Sequence, residues 1–116
     1  MEDNKLIAEF MGYTGGSDFQ YLTHPETLLD TNVDELLYQT SWDWLMPVVE
    51  KIEEIAIDDD NLTIKEHRYQ VDMSYTQCSI YDHVRDGVIA SGDMGTKLLS
   101  TYRAVIEFLK EYNDEK

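Results

Sequence analysis

The segment Thr96-Lys97-Leu98-Leu99-Ser100-Thr101-Tyr102-Arg103-Ala104-Val105-Ile106-Glu107-Phe108-Leu109-Lys110-Glu111-Tyr112 decides the fold class. Leu98, Leu99, Tyr102, Val105, Ile106, Leu109 and Tyr112 recur at i, i+3, i+4 and i+7, the period of an amphipathic helix, with Thr96 as its N-cap. The length corresponds to about five turns.

Upstream of this helix the period changes to two. Leu62 to Val71 alternates Leu62, Ile64, Glu66, Arg68 and Gln70 on one face with Thr63, Lys65, His67, Tyr69 and Val71 on the other, which predicts a strand. Tyr75 to Tyr81, with Cys78 and Ile80 inside, is β-rich as well, and Asp72 to Ser74 lies near the connection of an antiparallel pair. Asp86-Gly87 signals a turn into a third short strand at Val88 to Ala90. Gly92 to Gly95 punctuates the chain before the last helix.

Further upstream, Ser41 opens a second helix. Trp42, Leu45, Met46, Val49, Ile52 and Ala56 line one stripe, widened by Trp44, Val48 and Ile55. Pro47 removes a donor early in this helix and predicts a local bend or a later start. Residues 18 to 40 show no clean period and read as loop, with one extended piece at Leu36 to Thr40. Near the N-terminus, Leu6, Ile7, Phe10 and Met11 at helical spacing predict a short docking helix capped by Asn4 and ended by Gly12. The expected fold is therefore α+β: a small antiparallel sheet of about three strands packed against two longer helices and a short N-terminal helix, in helix-sheet-helix layers. Residues 1–116 form one domain, a length ordinary for a single core.

Charge bounds the function classes. Twenty-four Asp and Glu stand against nine Lys and Arg, a formal net charge of −15. Binding a polyanion draws on clustered bases that release counterions, and none are clustered here, so direct nucleic-acid binding is not expected. An anionic membrane surface is disfavoured for the same reason. The start Met1-Glu2-Asp3-Asn4 lacks a signal-peptide pattern, and no stretch approaches the ~20 apolar residues of a spanning helix. A lone cysteine, Cys78, fits a reducing compartment, so a cytoplasmic location is expected.

Motifs of catalysis or metal binding fail on spacing. Asp58, Asp59, Asp60 and Asn61 are oxygen ligands in a row, but a calcium loop needs Gly at the sixth position, where Thr63 stands. His67, His83 and Cys78 lack zinc spacings, and a lone cysteine in a β-rich stretch reads as a small buried hydrophobe. His24 precedes Pro25 with no evident partner. Gly12, Gly15 and Gly16 do not fit a dinucleotide fingerprint, and no nucleophile elbow occurs. No enzyme activity, no metal and no cofactor are expected.

The remaining signal is acidic. From Glu26 to Asp60 eleven carboxylates face a single base, Lys51. Asp34, Glu35, Glu50, Glu53, Glu54, Asp58, Asp59 and Asp60 are the candidate partner-binding residues, with Trp44 as an aromatic anchor. Such a surface either solubilises the chain or is steered onto a basic groove of another protein. Carboxylates at the C-terminal end of a helix oppose its macrodipole, which costs stability where they stand.

Three stretches resemble a known family: Asn4-Lys5-Leu6-Ile7-Ala8-Glu9-Phe10-Met11-Gly12, Ser41-Trp42-Asp43-Trp44-Leu45-Met46-Pro47-Val48-Val49-Glu50-Lys51-Ile52-Glu53, and Tyr102-Arg103-Ala104-Val105-Ile106-Glu107-Phe108-Leu109. They are similar to the phage ABA sandwich domain proteins of phages and prophages, over about half the chain. The resemblance implies a layered helix-sheet-helix fold, a phage or mobile-element origin and hence a host cytoplasm. It implies no catalytic residues. Small size, charge and this likeness point to an inhibitor of a host nucleic-acid-handling defence enzyme, of anti-CRISPR or other anti-defence type. The alternatives are a small-ligand or nucleotide module near Tyr69, Tyr75, Tyr81 and Arg103, and a phage structural or assembly protein.

Overall fold

In a computed structural model of the chain, residues 2–14, 21–23, 30–32, 36–55 and 67–114 are described. The elements run α1 (Glu2–Phe10), β1 (Tyr21–Thr23), β2 (Asp30–Asn32), α2 (Trp42–Glu54), β3 (Tyr69–Met73), β4 (Cys78–Asp82), β5 (Gly87–Gly92) and α3 (Lys97–Asp114). The fold is α+β, and α2, the three-stranded sheet and α3 follow in helix–sheet–helix order along the chain.

The sheet is a meander, ordered β3-β4-β5 and antiparallel throughout. Tyr69 pairs with Asp82, Val71 with Ile80, Met73 with Cys78, Ile80 with Ala90 and Cys78 with Gly92. This register stacks the apolar side chains on one face, where Tyr69, Val71, Cys78, Ile80 and Ala90 are buried. Gln70, Asp72, Val88 and Ser91 lie exposed on the other. The expected alternation of Tyr69 and Val71 on one side holds, but the strand runs Tyr69–Met73, starting later than Leu62 and ending two residues beyond the expected Val71. Residues 62–66 of the expected strand lie outside the described residues. Ser74 closes the β3–β4 turn by donating to the Gln77 carbonyl at 2.7 Å. The Asp86-Gly87 turn is present, and Asp86 itself takes the left-handed conformation at φ 58°, which short polar side chains tolerate.

α3 touches the sheet through β4 and β5 and also meets α1 and α2. Ser100, Thr101, Ala104, Val105, Ile106, Phe108 and Leu109 are buried as a result. Leu99, expected in the stripe, is exposed, while Ser100, Ala104 and Phe108 fall outside it yet lie in the core. A helix packed on two sides buries more than one stripe, and small residues at 100 and 104 let the strand approach. Thr96 caps α3, its Oγ1 accepting from the Leu99 amide at 3.2 Å. Thr96→Ala is expected to lower stability by about 1 kcal/mol, read by urea denaturation.

α2 buries Leu45, Val48, Val49 and Ile52 and runs unbroken through Pro47 from Trp42, so the later start is corrected. Pro47 is exposed alongside Asp43, whose carbonyl lacks the Pro47 amide partner. On a solvent-facing side that carbonyl has water available, which keeps the defect tolerable. Ser41 holds the N-cap position through backbone geometry alone, and its hydroxyl makes no cap bond. Ala56 of the expected stripe lies outside the described residues. α2 lies against β3, where the Glu53 carboxylate accepts from the Val71 amide at 3.5 Å.

Two N-terminal expectations are corrected. Asn4 is not a cap, because α1 already begins at Glu2; it is buried inside the helix. Its Nδ2 donates to the Leu36 carbonyl at 3.3 Å and its Oδ1 accepts from the Tyr102 hydroxyl at 2.8 Å. Leu36 to Thr40 is not extended: residues 38–40 form a turn, with Thr40 and Ser41 amides both donating to the Leu37 carbonyl. The hairpin of β1 and β2, with Leu22 opposite Thr31, replaces part of the expected loop. Gly12 ends α1 as expected, at φ 99°.

Candidate functional site

Asp43, Pro47, Glu50 and Glu54 are all exposed on α2. Their spacing of i, i+4, i+7 and i+11 places them on one stripe, opposite the buried Leu45, Val48, Val49 and Ile52. Three carboxylates thus share one solvent face of a 13-residue helix. Lys51, the sole base on α2, is turned away from that face. Its ammonium donates to the Phe10 carbonyl at the end of α1 and sits 4.9 Å from the Phe10 ring centroid. There it lines a cleft of about 390 Å³ with Leu6, Glu9, Phe10, Tyr112 and Asn113. The charge of the stripe is therefore not neutralised from within its own helix.

The other predicted residues distribute differently. Glu53 is half-buried and faces β3 rather than joining the stripe. Trp44 is half-buried, its ring edge-on to Tyr38 at 5.3 Å, so its aromatic surface is engaged inside the chain. Asp34, Glu35, Asp58, Asp59 and Asp60 lie outside the described residues. Asp43 belongs to the stripe without having been among the candidates; its i, i+7 relation to Glu50 was the available signal.

Carboxylates also occur elsewhere, since Glu9, Asp72, Asp86, Asp93, Glu111 and Asp114 are exposed. Among the described residues, one of these, Glu111, has a base at ion-pair distance, as does the half-buried Glu107. Arg103 pairs with Glu107 at 2.9 Å and Arg85 with Glu111 at 3.5 Å. Among the described residues Asp43, Glu50 and Glu54 make no ion pair, nor do Glu9, Asp72, Asp86, Asp93 and Asp114; the α2 stripe is set apart by carrying three carboxylates on one helix face.

Among the described residues the one buried carboxylate is Asp82, on the inner face at the end of β4. Arg68 grips it with two bonds of 3.1 and 3.0 Å, and the Val84 and Arg85 amides donate at 2.8 and 3.4 Å. Burial pushes its carboxyl up. The Arg68 hydrogen bond, the two amides and the Arg68 charge outweigh that and hold it below the ordinary carboxylate value. Every acceptor is used to anchor the β4–β5 turn, which makes the group structural.

Tyr69, Tyr75, Tyr81 and Arg103 do not converge. Tyr69 is buried against Phe108 on the inner face, 4.7 Å between centroids. Tyr81 is paired with Gln70 in the outward register, and Tyr75 stands 84% exposed on the β3–β4 turn. Cys78 is buried on the inner face, and burial pushes its thiol up despite a Thr101 hydrogen bond. His83 is exposed with its ring against Tyr81, and His67 is exposed beside the Glu53 carbonyl. These three do not form one cluster. Among the described residues no helix is long and apolar enough to cross a membrane. No family model, curated protein or solved structure matches this chain, so the resemblance to the phage ABA sandwich proteins stands on the quoted segments alone.

Proposed function

We propose that this chain is an acidic interaction domain that docks the exposed stripe of α2 on a basic groove of a partner protein. The partner class is a nucleic-acid-handling enzyme, because such an enzyme carries a cationic channel shaped for a polyanion. In a phage or mobile-element setting the consequence is inhibition or modulation of a host defence enzyme by occupying that channel. The observation that carries the reading is the stripe of Asp43, Glu50 and Glu54, with Lys51 directed to Phe10 instead of toward them.

Energetics support it. Glu50 and Glu54 repel at i, i+4, a cost of roughly 0.2–0.5 kcal/mol, and Glu54 ends a helix whose C-terminus disfavours negative charge. An arrangement that is mildly destabilising to its own helix gains its sense from attraction to a partner.

Glu50→Lys with Glu54→Lys should leave the melting temperature unchanged or slightly raised, since both sites are exposed. Capture of basic, nucleic-acid-binding proteins by the tagged chain at low salt should fall by roughly tenfold or more through slower association. Retention of nothing basic at low salt by the native chain, or equal retention by the double variant, would overturn the proposal.

A further inference from the structure

Among the described residues β5 is an edge strand with an open flank. It pairs with β4 alone among the described strands, and Val88 is 58% exposed. Beside it runs a groove of about 430 Å³ between Val88, Ile89, Ala90 and Ser91 on the strand and Arg103 and Glu107 on α3. A register shift between Ile80 and Tyr81 pairs Ala90 with Ile80 and Val88 with Tyr81, leaving Ile89 without a cross-strand partner.

Edge strands invite pairing unless lysine, proline, a cover or a bulge blocks them, and of these β5 carries, among the described residues, the bulge at Ile89 alone. Gly87-Val88-Ile89-Ala90-Ser91-Gly92 contains neither lysine nor proline and no charge. The charges lie at its two ends. Asp86 immediately precedes the strand, one carboxylate oxygen accepting from the Tyr81 hydroxyl and the other left for a partner, and Asp93 immediately follows it, both exposed, while Arg103 on the far wall is held by Glu107 at 2.9 Å.

We infer that the β5 edge, with its α3 wall, is a strand-addition site for an extended peptide whose uncharged, β-branched centre is flanked by lysine or arginine at both ends. Backbone hydrogen bonds along the edge supply attraction and alternate side chains enter the groove. The flanking bases meet Asp86 and Asp93. A second copy of this chain is the wrong occupant: antiparallel β5–β5 pairing would set Asp86 of one copy against Asp93 of the other, between two bodies each of charge −15. The inference does not depend on the α2 stripe.

The test uses the octapeptide KVTVTVTK, whose lysines are spaced as Asp86 and Asp93 are. Titrated into the isotopically labelled chain, it should shift amide resonances of Val88 to Ser91 and of α3 near Arg103 and Glu107, and slow amide exchange in β5. A version N-methylated on alternate residues along one edge should bind at least about tenfold more weakly, having lost one or more backbone hydrogen bonds. The analogue EVTVTVTE should bind more weakly still. Asp86→Asn with Asp93→Asn should weaken the lysine peptide several-fold while the melting temperature holds.

Shifts that map to the α2 stripe instead would assign the binding to unspecific charge attraction and overturn the inference. Equal binding of the N-methylated peptide would overturn it, since strand pairing would then play no part. So would concentration-dependent self-association through β5, which would make a second copy the occupant.

Discussion

Gly92→Ala is expected to destabilise the fold by about 3 kcal/mol or more, because a methyl group there has nowhere to go. Its Cβ would lie 2.8 Å from the Ala104 amide nitrogen and 2.9 Å from Arg103 Cβ, and closer still to the Ser100 carbonyl oxygen. Two of those three atoms are helix backbone, so no rotamer change relieves the clash; β5 and α3 would have to separate. The separation would loosen Ala104, Val105 and Phe108, all fully buried in the same core. Gly87→Ala is the control. The added methyl meets nothing within 4 Å, and the change should be near neutral. Urea titration of the two variants checks the contrast, which would fail if both lost stability alike.

Asp82→Ala is expected to cost about 3 kcal/mol, the range for breaking a buried ion pair, since it removes the shared acceptor of Arg68 and of the Val84 and Arg85 amides. The Asp82 side chain is 1% exposed and that of Arg68 25%, so partial solvation of Arg68 keeps the loss at the lower end of that range. Asp82→Asn should recover part of it, because an amide oxygen still accepts from Val84. Acid dependence follows from the same contacts. The folded-state carboxyl is held below its unfolded value of about 3.9. Its contribution is complete above that value and disappears as pH falls through the lower folded-state value. The native chain should therefore lose stability in acid more steeply than Asp82→Asn. Denaturation midpoints at neutral pH and near pH 3 measure the difference, and parallel acid limbs would contradict it.

The secondary structure was legible where one face decides it. α3, α2 and the β4–β5 hairpin declared themselves by period and by Asp86-Gly87, because each buries a continuous apolar set. The strand parity of Tyr69 and Val71 was legible too, since one face is core. What the pattern hid has tertiary causes. Asp30 and Asn32 are depleted in strands, so the short β1–β2 pair had no propensity signal. Asn4 reads as a cap from local chemistry, yet its amide is spent on Leu36 and Tyr102, residues far along the chain. Burial of Ser100 and Ala104 follows from contact with Gly92, which no helical wheel contains. In the candidate site, the i, i+7 spacing of Asp43 and Glu50 was readable, whereas the diversion of Lys51 to Phe10 and of Glu53 to Val71 depends on how α1 and β3 flank α2.

The Asn4 side chain has a consequence for how α1 seats. Its amide nitrogen, its amide oxygen and the Tyr102 hydroxyl are all satisfied in a single alignment of the two helices with the 36–40 segment. Burial pushes the Tyr102 phenol up to about 12, with the Asp3 charge adding to it, so the hydroxyl stays a donor across the physiological range. Sliding α1 by one turn, about 5.4 Å, could still bury leucine and isoleucine side chains but would strand an amide and a phenol at about 1–3 kcal/mol each. Greasy contacts alone would tolerate several seatings; this polar pin selects one, acting as a registration mark between the first helix and the last.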